Sequence, residues 1–186
     1  MSLFLRAVLT IILIAYPFIV YYGLLHFKFY QLTLFIAALA LLRIWVLRHS
    51  SAAVIKSGLY GAIILLVLSL VAFGLEAQIW LKIYPVVINL LLLLLFAQSL
   101  FADKSMIQRF AEFKEKNITE QKSKYMRKLT VIWCVFFVIN ALIATYTLFL
   151  SDKAWMLYNG FISYLMIGAL ILGELIYRHL VVLKDA

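Results

Sequence analysis

The side chains best placed to do chemistry are amides and hydroxyls set in apolar surroundings. Asn89, Asn140, Tyr158, Asn159 and Ser163 all fall inside long hydrophobic runs. In hydrocarbon each costs free energy unless it finds a hydrogen-bond partner, so each marks a helix contact or a polar cavity. With a helical rise of ~1.5 Å per residue, Asn89 lies roughly 13 Å inward from Trp80, and Asn140 roughly 16 Å from Leu129 on the opposite side. Both therefore approach the midplane. Asn159 sits one turn after Trp155, and Ser163 follows one turn later on the same face. A polar network joining three helices is expected. Membrane side-chain hydrogen bonds average only about 0.6 kcal/mol, so interhelical adhesion is the first reading. The second is a polar cavity for a headgroup or substrate. Ala141 and Ala144 beside Asn140 point to a tight helix contact there, whereas Asn159 is the better candidate for function.

Other reactive constellations are sparse. Glu174 is the one acid well inside the last apolar run, and Arg178 follows four residues later, the order that favours a helical ion pair. Its place near the run's end suggests a structural interfacial pair, since a proton-linked carboxylate normally lies deeper. The single cysteine, Cys134, cannot form an internal disulfide. His26, His49 and His179 stand at the ends of apolar runs, without the second ligand at i+3 or i+4 that a metal site needs. No carboxylate pair, His–acid pair or nucleophile with a nearby base occurs at helical spacing within the runs. The sequence thus points away from an enzyme and implies no cofactor and no metal.

The elements that must position these groups follow from hydropathy. Hydrophobic residues make up 67% of the 186-residue chain and charged residues 13%. The apolar runs cover residues 7–25, 29–47, 57–75, 80–101, 129–150 and 154–177. Each is close to the ~20 residues a helix needs to cross a bilayer core, and strand-like alternation is absent. The fold class read from this is all-α: a polytopic membrane bundle of six transmembrane helices in one domain. The first run is longer than a signal-peptide core and lacks a cleavage site, so it is expected to remain as a helix.

Charge tests that count. Of the 17 basic residues, 14 fall at the N-terminus, in the gaps at 43–56 and 103–128, and at the C-terminus. Only Lys28, Lys82 and Lys153 fall on the other side. Basic residues stay cytoplasmic during insertion, so both termini are expected to be cytoplasmic. The net charge of +9 then reads as topology and calls for no nucleic-acid partner.

The connection 103–128 is the one substantial polar segment. Ser105 and Gln108 have capping-box spacing. Met106, Ile107, Phe110 and Phe113 then share a face, which predicts a short cytoplasmic amphipathic helix between the fourth and fifth spans, followed by a basic tether. Membrane lipids, in particular anionic headgroups, are the expected partners of its basic residues. Pro17 is expected to bend the first span and free a carbonyl near Leu13, while Pro85 falls in the first turns of the fourth. Tyr16-Pro17 and Tyr84-Pro85 stand at positions that an inverted repeat of three spans would relate, although the halves share little else. Ala169 with Gly173, and Ser57 with Gly61, have the spacing of small residues at close helix contacts.

The second half resembles the bacterial intracellular septation protein A family of inner-membrane proteins. The resemblance rests on Met106-Ile107-Gln108-Arg109-Phe110, then Lys128-Leu129-Thr130, Trp133, Phe136-Phe137, Trp155 and Ile176-Tyr177-Arg178-His179. It runs nearly without gaps, while the first half agrees mainly in hydropathy. Ala144 and Asn159 depart from that family, which has asparagine and lysine there. Tyr158-Asn159-Gly160, Ser163-Tyr164 and Gly173-Glu174 look like the signature of a branch associated with aryl-polyene pigment gene clusters. The resemblance implies an inner-membrane role in envelope integrity or septation, exercised through lipids or through envelope or division proteins. A transporter or accessory factor for a lipid-like product is the alternative. It carries over no catalytic residues, and a shared fold does not by itself transfer function.

Overall fold

The computed structural model of this protein describes residues 15–48, 53–112 and 118–178, and only the backbone of 48 and 53–58. With almost no polar surface to spend, these segments satisfy their backbone N–H and C=O groups within helices. In chain order the helices are α1 (Tyr16–His26), α2 (Phe29–Arg48), α3 (Ala53–Leu75), α4 (Ile79–Lys82), α5 (Tyr84–Leu100), α6 (Met106–Ala111), α7 (Glu120–Thr147), α8 (Asp152–Leu157) and α9 (Ser163–Tyr177). A wider π-type turn, Tyr158–Ile162, joins α8 to α9. No strand occurs among the described residues.

Four helical stretches among the described residues are long and apolar enough to cross a membrane: Phe29–Leu47, Ile79–Leu100, Glu120–Thr147 and Asp152–Tyr177. The part of α3 whose side chains are described, Leu59–Leu75, is also apolar. The span expected at 7–25 falls partly outside the described residues, as does the carbonyl near Leu13; its described part is α1, with Pro17 in the opening turn.

Two expectations about the polar connection need correction. The basic tether before the fifth span is helical: α7 starts at Glu120, well ahead of residue 129. Thr119 caps it, accepting from the Lys122 N–H at 3.4 Å, and Glu120 adds an acid to the first turn. The capping box at Ser105 and Gln108 does not form. Ser99 at the end of α5 takes that role, accepting the Met106 N–H at 2.8 Å. Gln108 instead accepts from the Ser123 hydroxyl at 2.8 Å, which ties α6 to α7. Arg127 closes the same corner, donating to the Leu100 and Ala102 carbonyls at 2.9 and 2.8 Å at the end of α5.

Besides a small cluster of Val86, Ala144 and Tyr158, packing among the described residues divides into two apolar regions. One gathers Tyr16, Ile36, Leu65, Leu81 and Trp155 from α1, α2, α3, α4 and α8. The other stacks Phe96 of α5 on Phe136 and Phe137 of α7, with Met106 and Ile107 of α6 against it. Elsewhere Phe35, Leu94 and Leu142 face outward, the surface expected of helices whose surroundings are lipid.

The break between α4 and α5 has a definite cause. Pro85 lacks an N–H, so the Leu81 carbonyl loses its helical donor. The Tyr16 hydroxyl supplies one at 2.7 Å. One residue on, the Trp155 indole N–H donates to the Lys82 carbonyl at 3.1 Å. Two distant aromatic residues thus satisfy the kink and fasten α1 and α8 to it.

Candidate functional site

Asn89 of α5 and Asn140 of α7 meet inside the bundle. The Asn140 amide N–H donates to Asn89 Oδ1 at 2.9 Å, and the Tyr158 hydroxyl donates to Asn140 Oδ1 at 2.7 Å. Asn89 in turn donates to the Pro85 carbonyl at 2.8 Å. This seam runs from the kink of α5 through α7 to the π-turn. Asn140 is 4% exposed and Ala144, one turn along, 1%, so the two helices lie close together here.

Asn159 and Ser163 belong to a second, separate group. The Asn159 amide donates to Thr147 Oγ1 at 3.0 Å and to the Trp155 carbonyl at 2.9 Å. Ser163 donates to the Asn159 carbonyl at 3.1 Å. The wide turn lets adjacent residues reach different partners: Tyr158 bonds α7 at Asn140, and Asn159 bonds it near its end at Thr147. Such turns recur at functional sites. Gly160 within it lies under the Phe18 ring of α1, where a Cβ would stand 2.7 Å from Phe18 Cε2. Only glycine permits that approach.

Both groups border one cavity of about 300 Å³. Asn89, Asn140, Asn159 and Ser163 line it together with Tyr16, Pro17, Tyr84, Pro85 and Arg43. The two Tyr-Pro dipeptides face each other across it, with the Tyr16 and Tyr84 ring centroids 4.7 Å apart. The helix pairing around them does not repeat: α2 lies along α3, whereas the corresponding helix of the second half, α7, lies along α5. Arg43 is the residue that sequence reasoning missed. Counted with the basic gap at 43–56, it instead sits on α2 and contributes a positive charge to the cavity wall. Its place before the end of a hydrophobic helix was the available signal, because an ionisable group at membrane depth normally faces a cavity or partner.

The predicted ion pair forms at the basic end of the bundle, with Arg178 Nε 3.7 Å from Glu174 Oε1. The Tyr125 hydroxyl also donates to Glu174 at 3.4 Å, linking α7 to α9. Of the expected amphipathic face, Met106 and Ile107 turn into the bundle, while Phe110 is 41% exposed with its ring 6.4 Å from Phe96. Phe113 lies outside the described residues. The Lys104 ammonium, 3.0 Å from Glu112 and hydrogen-bonded to it, holds the Glu112 carboxyl below its ordinary pKa. No cluster of metal-ligating side chains occurs among the described residues.

A family profile, that of intracellular septation protein A, matches residues 5–182, nearly the whole chain. The chain belongs to the intracellular septation protein A family. Neither a curated protein nor a solved structure matches it. The match extends the resemblance from the second half into the first, so α1, Arg43 and both Tyr-Pro dipeptides lie within the septation protein A region. Its apolar helices make this septation protein A relative a membrane protein.

Proposed function

We propose that the protein serves cell-envelope integrity or septation from the bacterial inner membrane, without catalysing a reaction, through lipid or protein partners. Membership of the septation protein A family over residues 5–182 carries this reading. The charge segregation supports six spans with both termini in the cytoplasm. Reporter fusions after Ala186 and within 118–122 are expected to give cytoplasmic signals; a periplasmic signal at either place sinks that topology. Cells depleted of the protein are expected to form septa late or misplaced, or to become detergent-sensitive, and the wild-type chain is expected to restore them. Normal division and normal detergent tolerance after depletion overturn the reading.

One observation favours a second reading, a carrier or accessory factor for a lipid-like product such as an aryl polyene. The cavity that holds Arg43 beside Asn89, Asn140 and Asn159 offers a charged group and several hydrogen-bonding side chains at membrane depth. Asn159→Leu separates the readings. A ligand cavity predicts lost cellular activity at normal protein abundance; adhesion between helices predicts activity falling only with abundance.

A further inference from the structure

A larger groove, about 640 Å³, lies between α7 and α9 at the basic end. Leu129, Ile132 and Leu170 form its apolar wall, and Lys124, Lys128, Tyr125 and Tyr177 line it as well. Gly173 keeps it open: a Cβ added there would meet nothing within 4 Å, so this glycine makes room, contrary to the close helix contact expected from its spacing with Ala169. The Tyr125 and Tyr177 rings stack on one side, 6.0 Å between centroids and 12° from parallel.

The charges around the groove are mostly committed. Lys124 Nζ is 2.8 Å from Glu120, and Glu174 holds both Arg178 and the Tyr125 hydroxyl. Lys128 is the exception: it has no hydrogen-bond or ion-pair partner among the described residues and is exposed one turn from Lys124, just ahead of the buried Leu129. An ammonium at the mouth of an apolar groove, with tyrosines beside it, matches the two ends of one ligand. We propose that this groove holds a single acidic phospholipid. Its phosphate sits at Lys128, and one acyl chain runs along Leu129, Ile132 and Leu170. A net-negative headgroup is selected because a zwitterionic lipid carries its own cation, which competes with Lys128 for the phosphate. This inference gives the lipid side of the proposed function a place. It rests on that reading only in taking the basic end to face the cytoplasmic leaflet.

The test is native mass spectrometry of the full chain, delipidated in detergent, against dioleoyl phosphatidylglycerol and dioleoyl phosphatidylcholine. The wild type is expected to retain one phosphatidylglycerol in preference to phosphatidylcholine. Lys128→Gln is expected to weaken phosphatidylglycerol retention roughly fivefold, while Lys128→Arg preserves it. Gly173→Leu, which fills the groove, is expected to lower retention of both lipids, with the thermal midpoint showing that each variant is folded. Equal retention of the two lipids by the wild type overturns the proposal, as does unchanged phosphatidylglycerol retention in Lys128→Gln. Displacement of lipid by millimolar inorganic phosphate overturns it in favour of a soluble anion. The groove and the cellular role fail separately. Normal septation in Gly173→Leu cells whose protein has lost its lipid upholds the groove and removes lipid from the function. Unchanged lipid retention in that variant overturns the groove alone, whatever the cells do.

Discussion

The α2–α3 pair and the α5–α7–α9 assembly are both apolar helices in close contact, yet they treat buried polar groups in opposite ways. In the first, Thr33 donates to the Phe29 and Tyr30 carbonyls of its own helix, and Ser69 to those of Leu65 and Leu66. Neither hydroxyl crosses to a neighbour. In the second, the amides of Asn140 and Asn159 reach other elements, and Tyr158 spans from the π-turn to α7. The difference follows from chemistry. A short hydroxyl has one proton and can place it on a carbonyl one turn back. An asparagine has two donors and an acceptor, and its own helix cannot satisfy them all. Thr33 and Ser69 therefore add no bond between α2 and α3, while hydrogen bonds fix the register of the second assembly.

The largest expected effect is at Gly160, where the second assembly meets α1. Gly160→Leu forces Phe18 away and is expected to cost about 1–3 kcal/mol, as overpacking does, read as a lower thermal midpoint in detergent. An unchanged midpoint would show that α1 is not held there. Next comes Asn140→Leu, which strands both the Tyr158 hydroxyl and Asn89 Oδ1. A loss of about 1–2 kcal/mol is expected from two membrane hydrogen bonds. A double-mutant cycle with Tyr158→Phe sharpens this, with a coupling of about 0.6 kcal/mol or more. Thr33→Val and Ser69→Ala are expected to change stability by less than about 0.5 kcal/mol, because each removes only a bond within one helix. If either costs as much as Asn140→Leu, the contrast between the two regions collapses.

The smallest effect is a pH dependence outside both regions. Glu112 has a folded-state pKa below its unfolded value, because Lys104 and Gln108 hydrogen-bond its charged form. Its stabilisation of the connection is present above the unfolded carboxylate pKa and is lost as pH falls through the lower, folded one. Amide protection factors in Met106–Ala111, which correct for the intrinsic pH dependence of exchange, are expected to fall on acidification, and Glu112→Gln to remove that dependence. The same pH response in Glu112→Gln would assign it to another group.

Much of this architecture was legible in the hydropathy. The apolar runs marked where helices lie, and the depth arithmetic brought Asn89 and Asn140 to one level, where they bond. Proximity along the chain to Tyr158 puts Asn159 in the same network, but the π-turn sends the two side chains to different partners. No residue type announces such a turn, because it is a property of backbone bonding. The start of α7 was readable in Thr119-Glu120, a cap followed by an acid, but the density of basic residues after it suggested a tether.

Composition and spacing alone determined an all-helical membrane chain, a bipolar charge distribution and the polar residues that need partners. These follow from per-residue free energies of transfer and from the fixed rise of a helix, neither of which depends on neighbours distant in sequence. Tertiary structure decided which partner each polar group takes. It placed Tyr16 on the carbonyl freed by Pro85, put Arg43 in a cavity wall and turned Gly173 toward open space. Those outcomes depend on how helices rotate and cross, and a nearly uniform apolar surface encodes rotation only through the shapes that interlock when the bundle forms.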